Sequence, residues 1–343
     1  MTAGVAEAAP KPVPQKWKLT TRTNVAGDDG IGALAVTGRK SAWAAGSVWQ
    51  GPPLLYRWNG SAWRRIKLPA HVNHPLEQMD ATSDKNVWAF GGDSSSVFKS
   101  FHWNGKAWKT SVVERGEVHA WDTEAISSSN VWLSLNEHSG RGQLRNWNGR
   151  KWRSMRIPAA SSLYSMSFTS AKNGWAVGSK ASGGGGIALR WNGSSWKSTA
   201  LPRIQMPKGS TSQLSSVLAL SSRNVYAIGS YSWMVDDDEE HRPIVLHWNG
   251  SKWRRLTGPN VHADISGLST DGRGGLWMKV SGDRLANYRA GRWTVTRIPG
   301  PAGHHVGMDA MANVPGTATM LGVGYVRRDS EPDIQDSAFF TAR

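Results

Sequence analysis

Residues able to do acid–base chemistry fall in a few segments of this chain. Eight of its ten histidines, His71, His74, His119, His138, His241, His262, His304 and His305, stand between recurring β-type runs or at their starts. Glu77, Asp80, Asp122, Glu124, Asp264 and Asp309 accompany them. Imidazole can take or give a proton near neutral pH, and a carboxylate can orient it. On an acidic polysaccharide, an Arg or Lys would neutralise the uronate and His119, Tyr164 or His262 would take the C5 proton, which is lyase chemistry. A glycosidase would instead need two carboxylates about 5–10 Å apart. Nothing has a metal-ligand spacing such as His-x-x-x-His on a helix, and His304 and His305 should point apart on extended chain. No nucleophile elbow, phosphate loop or dinucleotide fingerprint occurs. The sequence thus demands no cofactor. The acidic run Asp236-Asp237-Asp238-Glu239-Glu240 could hold a divalent cation such as calcium, contact a basic partner, or be solvated.

The elements that would position these residues come from one repeated stretch, Trp-Asn-Gly-x-x-Trp. Its first residues are Trp58, Trp103, Trp147, Trp191 and Trp248, with a worn copy at Tyr288. The period is near 44, with one longer step of 57 between 191 and 248. Asn-Gly between β-type runs is a hairpin signal, because both residues tolerate positive φ, and the two Trp residues should face each other across it. Each unit has four β-runs. The second carries its own signature, as in Trp43-Ala44-Ala45-Gly46, Trp88-Ala89-Phe90-Gly91 and Trp175-Ala176-Val177-Gly178, with looser forms at Trp132 and Trp277. Four antiparallel strands per repeat of this length make a β-propeller blade.

The fold expected is all-β: a seven-bladed propeller in one domain over 15–343, after a flexible Ala/Pro-rich tail over 1–14. Complete blades lie at about 31–69, 76–114, 120–158, 163–202, 213–258 and 264–299. Residues 305–343 supply three strands of blade 7, and an N-terminal strand over 15–21 supplies the fourth, closing the ring. The loops joining strands two and three, and those joining blade to blade, share a face called the top here. The Trp-Asn-Gly hairpins lie on the opposite face.

Seventeen of the 20 tryptophans belong to this scaffold. Trp49, Trp121 and Trp233 remain, all on top-face connections. Aromatic rings there suit stacking on sugars or holding a protein. Trp121, close to a strand start, is expected to pack on its blade. The long step of 57 is read as a top loop inserted over 230–243.

These motifs resemble the Trp-rich repeat propellers of secreted actinobacterial proteins, distant kin of kelch-, tectonin- and sialidase-type propellers. The Trp-Asn-Gly hairpin holds the place of the sialidase Asp-box, which is structural and implies no sialidase chemistry. Related propellers include lectins, lyases, glycosidases and protein scaffolds, so the resemblance specifies fold rather than function.

Charge and composition narrow the partners. The chain has 343 residues, no cysteine and a net charge of +16. No apolar run is long enough to span a membrane. Such a surface attracts polyanions, and many of its cations, among them Arg64, Arg65, Lys109, Arg153, Lys197 and Arg254, follow the second Trp of the motif. On an outer strand they also block edge-to-edge pairing. Residues 1–14 resemble the end left after signal-peptide removal, so an exported, extracellular monomer is expected. The leading expectation is a lectin-like module binding a glycan or anionic cell-wall polymer through Trp49, His71, His74, Trp121, Trp233, Asp264, His304, His305 and Asp309. A polysaccharide lyase and a protein-interaction scaffold are the alternatives. Nothing points to base readout of nucleic acid.

Overall fold

A computed structural model describes residues 15–23, 28–92, 97–137, 139–158, 161–181, 184–331 and 334–343. The tail over 1–14 and His138 lie outside the described residues. Strand β1 (Trp17–Arg22) belongs to the last blade. Blade 1 contains β2 (Asp29–Gly38), β3 (Ser41–Val48), β4 (Pro53–Trp58) and β5 (Trp63–Arg65). Blade 2 contains β6 (Gln78–Ser83), β7 (Asn86–Gly92), β8 (Val97–Trp103) and β9 (Trp108–Arg115). Blade 3 contains β10 (Val118–Ser127), β11 (Asn130–Glu137), β12 (Gly142–Trp147) and β13 (Trp152–Ser154). Blade 4 contains β14 (Ser161–Ser170), β15 (Asn173–Lys180), β16 (Gly186–Trp191) and β17 (Trp196–Ser198). Blade 5 contains β18 (Thr211–Ser221), β19 (Asn224–Val235), β20 (Asp238–Trp248) and β21 (Trp253–Leu256). Blade 6 contains β22 (Ile265–Thr270), β23 (Leu276–Val280), β24 (Arg284–Arg289) and β25 (Arg292–Arg297). Blade 7 contains β26 (His304–Asn313), β27 (Met320–Arg328) and β28 (Gln335–Ala342), with β1 beside β28. All are antiparallel meanders, and first strands contact first strands around the ring. The described residues contain no helix long and apolar enough to cross a membrane.

The Trp-Asn-Gly turns join third strands to fourth strands. Trp103 faces Trp108, Trp147 faces Trp152 and Trp191 faces Trp196, with ring centroids 5.8, 5.7 and 5.5 Å apart. Only the glycine adopts positive φ, from 88° to 104° across the five copies. The asparagine acts instead through its side chain: Asn148 Oδ1 accepts the N–H groups of Arg150 (3.0 Å) and Lys151 (2.9 Å). The worn copy is a two-residue turn, with Ala290 and Gly291 both at positive φ.

In blades 3, 4 and 5 the hairpin pair also receives the signature tryptophan of the preceding blade. Trp88 packs on Trp147 and Trp152, Trp132 on Trp191 and Trp196, and Trp175 on Trp248 and Trp253, at 4.9–6.0 Å. Such ring pairs contribute about 0.5–1.5 kcal/mol each beyond area burial. The repeat is therefore the cement between blades as well as a turn. At the closure Trp17 faces Ala342 across β1 and β28 and packs edge-on against Trp277. The Gln15 side chain donates to Asp271 O and accepts from Trp277 Nε1, each at 2.8 Å.

Candidate functional site

The first strands surround the central channel, and six of them carry a register shift at the same height. It falls between Ile31 and Ala33, Ala120 and Asp122, Leu163 and Ser165, Leu214 and Ser216, Ser266 and Ser269, and Met308 and Ala310. A β-bulge places one residue outside the ladder and re-aims its side chain. The bulged residues are Gly32, Trp121, Tyr164, Ser215, the pair 267–268 and Asp309. In blade 2 Glu77 holds the matching place, since its N–H and the register of Gln78 both go to Phe90.

The glycine ending the second-strand signature makes room for this feature. A Cβ on Gly46, Gly91, Gly178 or Gly229 would run into the carbonyl oxygen of Gly30, Pro75, Ser162 or Gln213, just before the bulge. Gly324 has the same relation to Gly307 in blade 7.

Bulged residues meet their neighbours around the ring. Trp121 lies against Tyr164 with centroids 4.9 Å apart, and Tyr164 Oη is 2.8 Å from Ser179 Oγ. Gln78 Nε2 donates to Trp121 O at 3.0 Å, and Glu77 Oε2 accepts the Ala120 N–H at 2.9 Å. Trp121 is 47% exposed, so it offers a ring to the channel mouth rather than packing on its blade.

Two cavities continue this arc on the top face. One of about 310 Å³ is lined by Lys180, Gln213, Tyr231, Glu239, His241 and Asp264, with Ser179 at its edge. The next, about 200 Å³, lies between blades 6 and 7 and includes Lys279, Arg284, Asp309, Tyr325 and again Asp264. Asp264 is thus a wall common to both. His241 Nδ1 is 3.2 Å from Asp264 Oδ1, and its Nε2 is 3.6 Å from Glu239 Oε2. Lys279 Nζ donates to Asp309 O at 2.6 Å. Burial raises the Asp309 carboxyl and Lys279 opposes that shift; burial lowers the Lys279 ammonium and Asp309 opposes it. Two larger clefts, about 610 and 590 Å³, lie at the outer edges of blades 3 and 1 and hold none of the predicted residues.

Residues 230–243 are not an inserted loop. They extend β19 and β20 into a hairpin, with Trp233 opposite Glu240 and a turn at Asp236, where φ is 52°. Alternation puts Tyr231, Trp233 and Arg242 on one face and Ser232, His241 and Glu239 on the other. Trp233 stacks on Tyr231 at 5.6 Å and lies under the Arg242 guanidinium at 5.3 Å. The same alternation separates Glu239 from Asp238 and Glu240, so the acidic run does not converge. Among the described residues, no group of three His, Cys, Asp or Glu is placed to hold a metal.

Below the mouth, side chains of the first strands peg one blade to the next. Asp80 Oδ2 accepts the Ala125 N–H at 2.6 Å, Asp122 Oδ2 that of Met166, and Glu124 Oε1 that of Phe168 at 3.1 Å. Serines take over in later blades: Ser165 to Val217, Ser167 to Ala219 and Ser216 to Gly267. Burial pushes Asp122 up to about 7 and Asp80 up to about 6. Glu124 rises well above the ordinary range, from burial first and then from the charges of Asp80 and Asp122. Asp80 and Asp309 share Met-Asp-Ala in sequence but differ here, for Asp80 is a peg and Asp309 a bulge.

The remaining candidates scatter. His119 is largely exposed, 3.7 Å from Glu77; His262 lies 3.3 Å from Glu240 on the hairpin. The three residues proposed for lyase chemistry therefore each have a different partner. His74 is only 6% exposed and sits with Lys99 and Phe101 inside the blade, so it presents no open ring. His71 is exposed on the connection between blades 1 and 2. His304 bonds Ala302 O, while His305 tilts against Tyr325 at 6.1 Å. Trp49 is 73% exposed on blade 1. The three surplus tryptophans thus occupy blades 1, 3 and 5 with different neighbours. Lys279 and Tyr325 are site residues that periodicity does not reveal. One signal marks Lys279: it stands two residues after Trp277, where the corresponding residues after Trp43, Trp88 and Trp175 are Ala45, Phe90 and Val177.

No protein-family model matches the chain, and no curated protein is similar to it at the sequence level. Solved structures do share its fold. YCF48 bound to D1 peptide is 11% identical with a TM-score of 0.59, covering 96% of each chain. YCF48 from Cyanidioschyzon merolae is 13% identical with a TM-score of 0.58, covering 95% of this chain and 98% of that one. At such identity the likeness is one of fold: the chain is a seven-bladed β-propeller with Trp-rich strands.

Proposed function

We propose that this propeller is a protein-binding scaffold whose channel mouth holds an extended segment of a partner. The observation carrying this reading is the pair of top-face cavities joined at Asp264. They continue the Trp121–Tyr164 pair into one polar arc over blades 3 to 7. An elongated site with alternating small cavities suits a peptide backbone with side chains set at intervals. YCF48, of the same fold, has been solved with a D1 peptide bound, which adds support. The arc carries both signs, Glu239 and Asp264 beside Lys180 and Asp309 beside Lys279 and Arg284, which favours a segment that sets a Lys or Arg against the shared Asp264. The sugar-binding expectation has less geometric support, because Trp49, Trp121 and Trp233 stand on separate blades.

A peptide library and a glycan array, probed in parallel at physiological salt, test the proposal. The expected result is enrichment of Lys- or Arg-containing peptides. Asp264→Arg should weaken their binding about tenfold or more, equal to about 1.4 kcal/mol. Glycan binding that the same substitution abolishes, with no peptide enriched, would restore the lectin reading and overturn this one.

A further inference from the structure

The face opposite the channel mouth carries an unbalanced set of charges. Turns between first and second strands expose Arg39, Lys40, Lys85, Lys172, Arg223 and Arg273. The Trp-Asn-Gly turns add Lys106, Arg150, Lys151 and Lys252. Among the described residues in these turns, the acids are Asp84 and Asp271, and both are taken. Asp84 Oδ2 accepts from Arg57 at 2.9 Å, and Asp271, with no exposed surface, pairs with Arg289.

The charge continues onto the outer rim at one repeated position, the residue after the outer-strand tryptophan. Lys18, Arg64, Lys109, Arg153, Lys197 and Arg254 stand there in six of the seven blades, all exposed. Edge protection explains one cation per outer strand. It does not explain their partners. Arg64 lies directly opposite Arg57, and Lys197 opposite Arg190. Lys109 lies opposite His102 and Arg254 opposite His247, two imidazoles lowered by burial first and then by those same cations. Like charges facing each other across a ladder are destabilising. Arg64–Arg57, which Asp84 offsets in part, and Lys197–Arg190 are such pairs, and the two imidazoles are held towards their neutral form, so the rim concentrates positive charge at a cost at two of its six positions.

We infer that the underside and rim form a docking surface for a flexible linear polyanion bearing phosphate or sulfate groups, read by charge alone. A flat bilayer would reach the underside turns but not the rim. Single-stranded nucleic acid is held by aromatic platforms under its bases, and the tryptophans of these hairpins are buried or half-buried. A flexible polymer without bases can follow both levels. The surface is separate from the channel mouth, and its test does not depend on the peptide-binding proposal.

The experiment titrates the full-length protein with long-chain inorganic polyphosphate and, separately, with tripolyphosphate, poly(dT) and phosphatidylglycerol vesicles. Affinity for the long chain should exceed that for tripolyphosphate by tenfold or more at about 50 mM salt, and fall linearly on logarithmic axes as salt rises. Arg64→Gln/Arg153→Gln/Lys197→Gln should reduce that slope by about 2, at about 0.7 per lost contact. Lys85→Gln/Arg150→Gln/Arg223→Gln should do the same from the underside. Thermal melts establish that each triple variant is folded. Equal affinity for tripolyphosphate, stronger binding to poly(dT) or vesicles, no binding at low salt, or indifference to both triple variants would each overturn the inference.

Discussion

Asp122→Asn tests whether bound protons help to hold the ring together. Burial lifts the Asp122 carboxyl from the ordinary 3.8 to about 7. The folded protein thus keeps a proton that the unfolded chain has released. Stability contributed by this group is full below about pH 4, falls as pH rises towards 7, and levels off above it. One group loses about 1.4 kcal/mol per pH unit within that window, or about 4 kcal/mol across it. Asp122 keeps part of its surface open to solvent, which screens the charge, so we expect about 2–3 kcal/mol. Asparagine carries no charge but has one oxygen where Asp122 uses two, Oδ2 for the Met166 N–H and Oδ1 for that of Thr123, so one N–H loses its acceptor at a cost of about 1–3 kcal/mol at every pH. Relative to wild type the variant should therefore be about 1–2 kcal/mol more stable near pH 8 than near pH 5. Glu124 should gain as well, because the Asp122 charge is one cause of its raised pKa. Urea denaturation of both proteins at the two pH values measures this. Parallel pH–stability curves, or a variant that loses ground to wild type as pH rises, would refute the reasoning.

Four other substitutions probe the scaffold. Gly178→Ala drives a Cβ into the Ser162 carbonyl and should cost about 1–3 kcal/mol in a thermal melt. Gly38→Ala, with nothing within 4 Å of the new carbon, should stay within about 0.5 kcal/mol of wild type. Arg289→Ala strands the buried Asp271 carboxylate and should cost about 3–5 kcal/mol by urea unfolding. Asn148→Ala removes the acceptor for two turn N–H groups and should cost about 1 kcal/mol.

The architecture was legible in sequence because its signals are local and repeated. Trp147 and Trp152 announce a hairpin wherever Asn-Gly separates them, and Trp17-Lys18 matches the outer strand missing from blade 7. The Gly178 signature was visible too, but its cause was not. The bulge it accommodates lies in a neighbouring strand, and nothing around Tyr164 marks the shift. The channel acids were unreadable for a different reason. Asp80 and Asp309 sit in identical tripeptides, and only ring closure decides that one meets Ala125 and the other Lys279. Strand alternation of Tyr231 and Trp233 with Ser232 and Met234 was available as a hairpin signal, but the acidic run beside it reads as a loop.

The bulge separates two kinds of position that most folds entangle. Signature glycines, hairpin tryptophans and blade pegs are bound to one another by contact and cannot drift alone. In six blades the bulged residue is released from the ladder, and with Glu77 at the matching place of blade 2 the ring reads Gly32, Glu77, Trp121, Tyr164, Ser215, the pair 267–268 and Asp309. That is a seven-letter word written on a fixed frame. Glu77 and Ser215 still hold a neighbouring blade, through Ala120 and Ile265, but the other letters can be respelled without breaking a side-chain bond between blades, so a new specificity at the mouth lies a few substitutions away while the ring stays as it is.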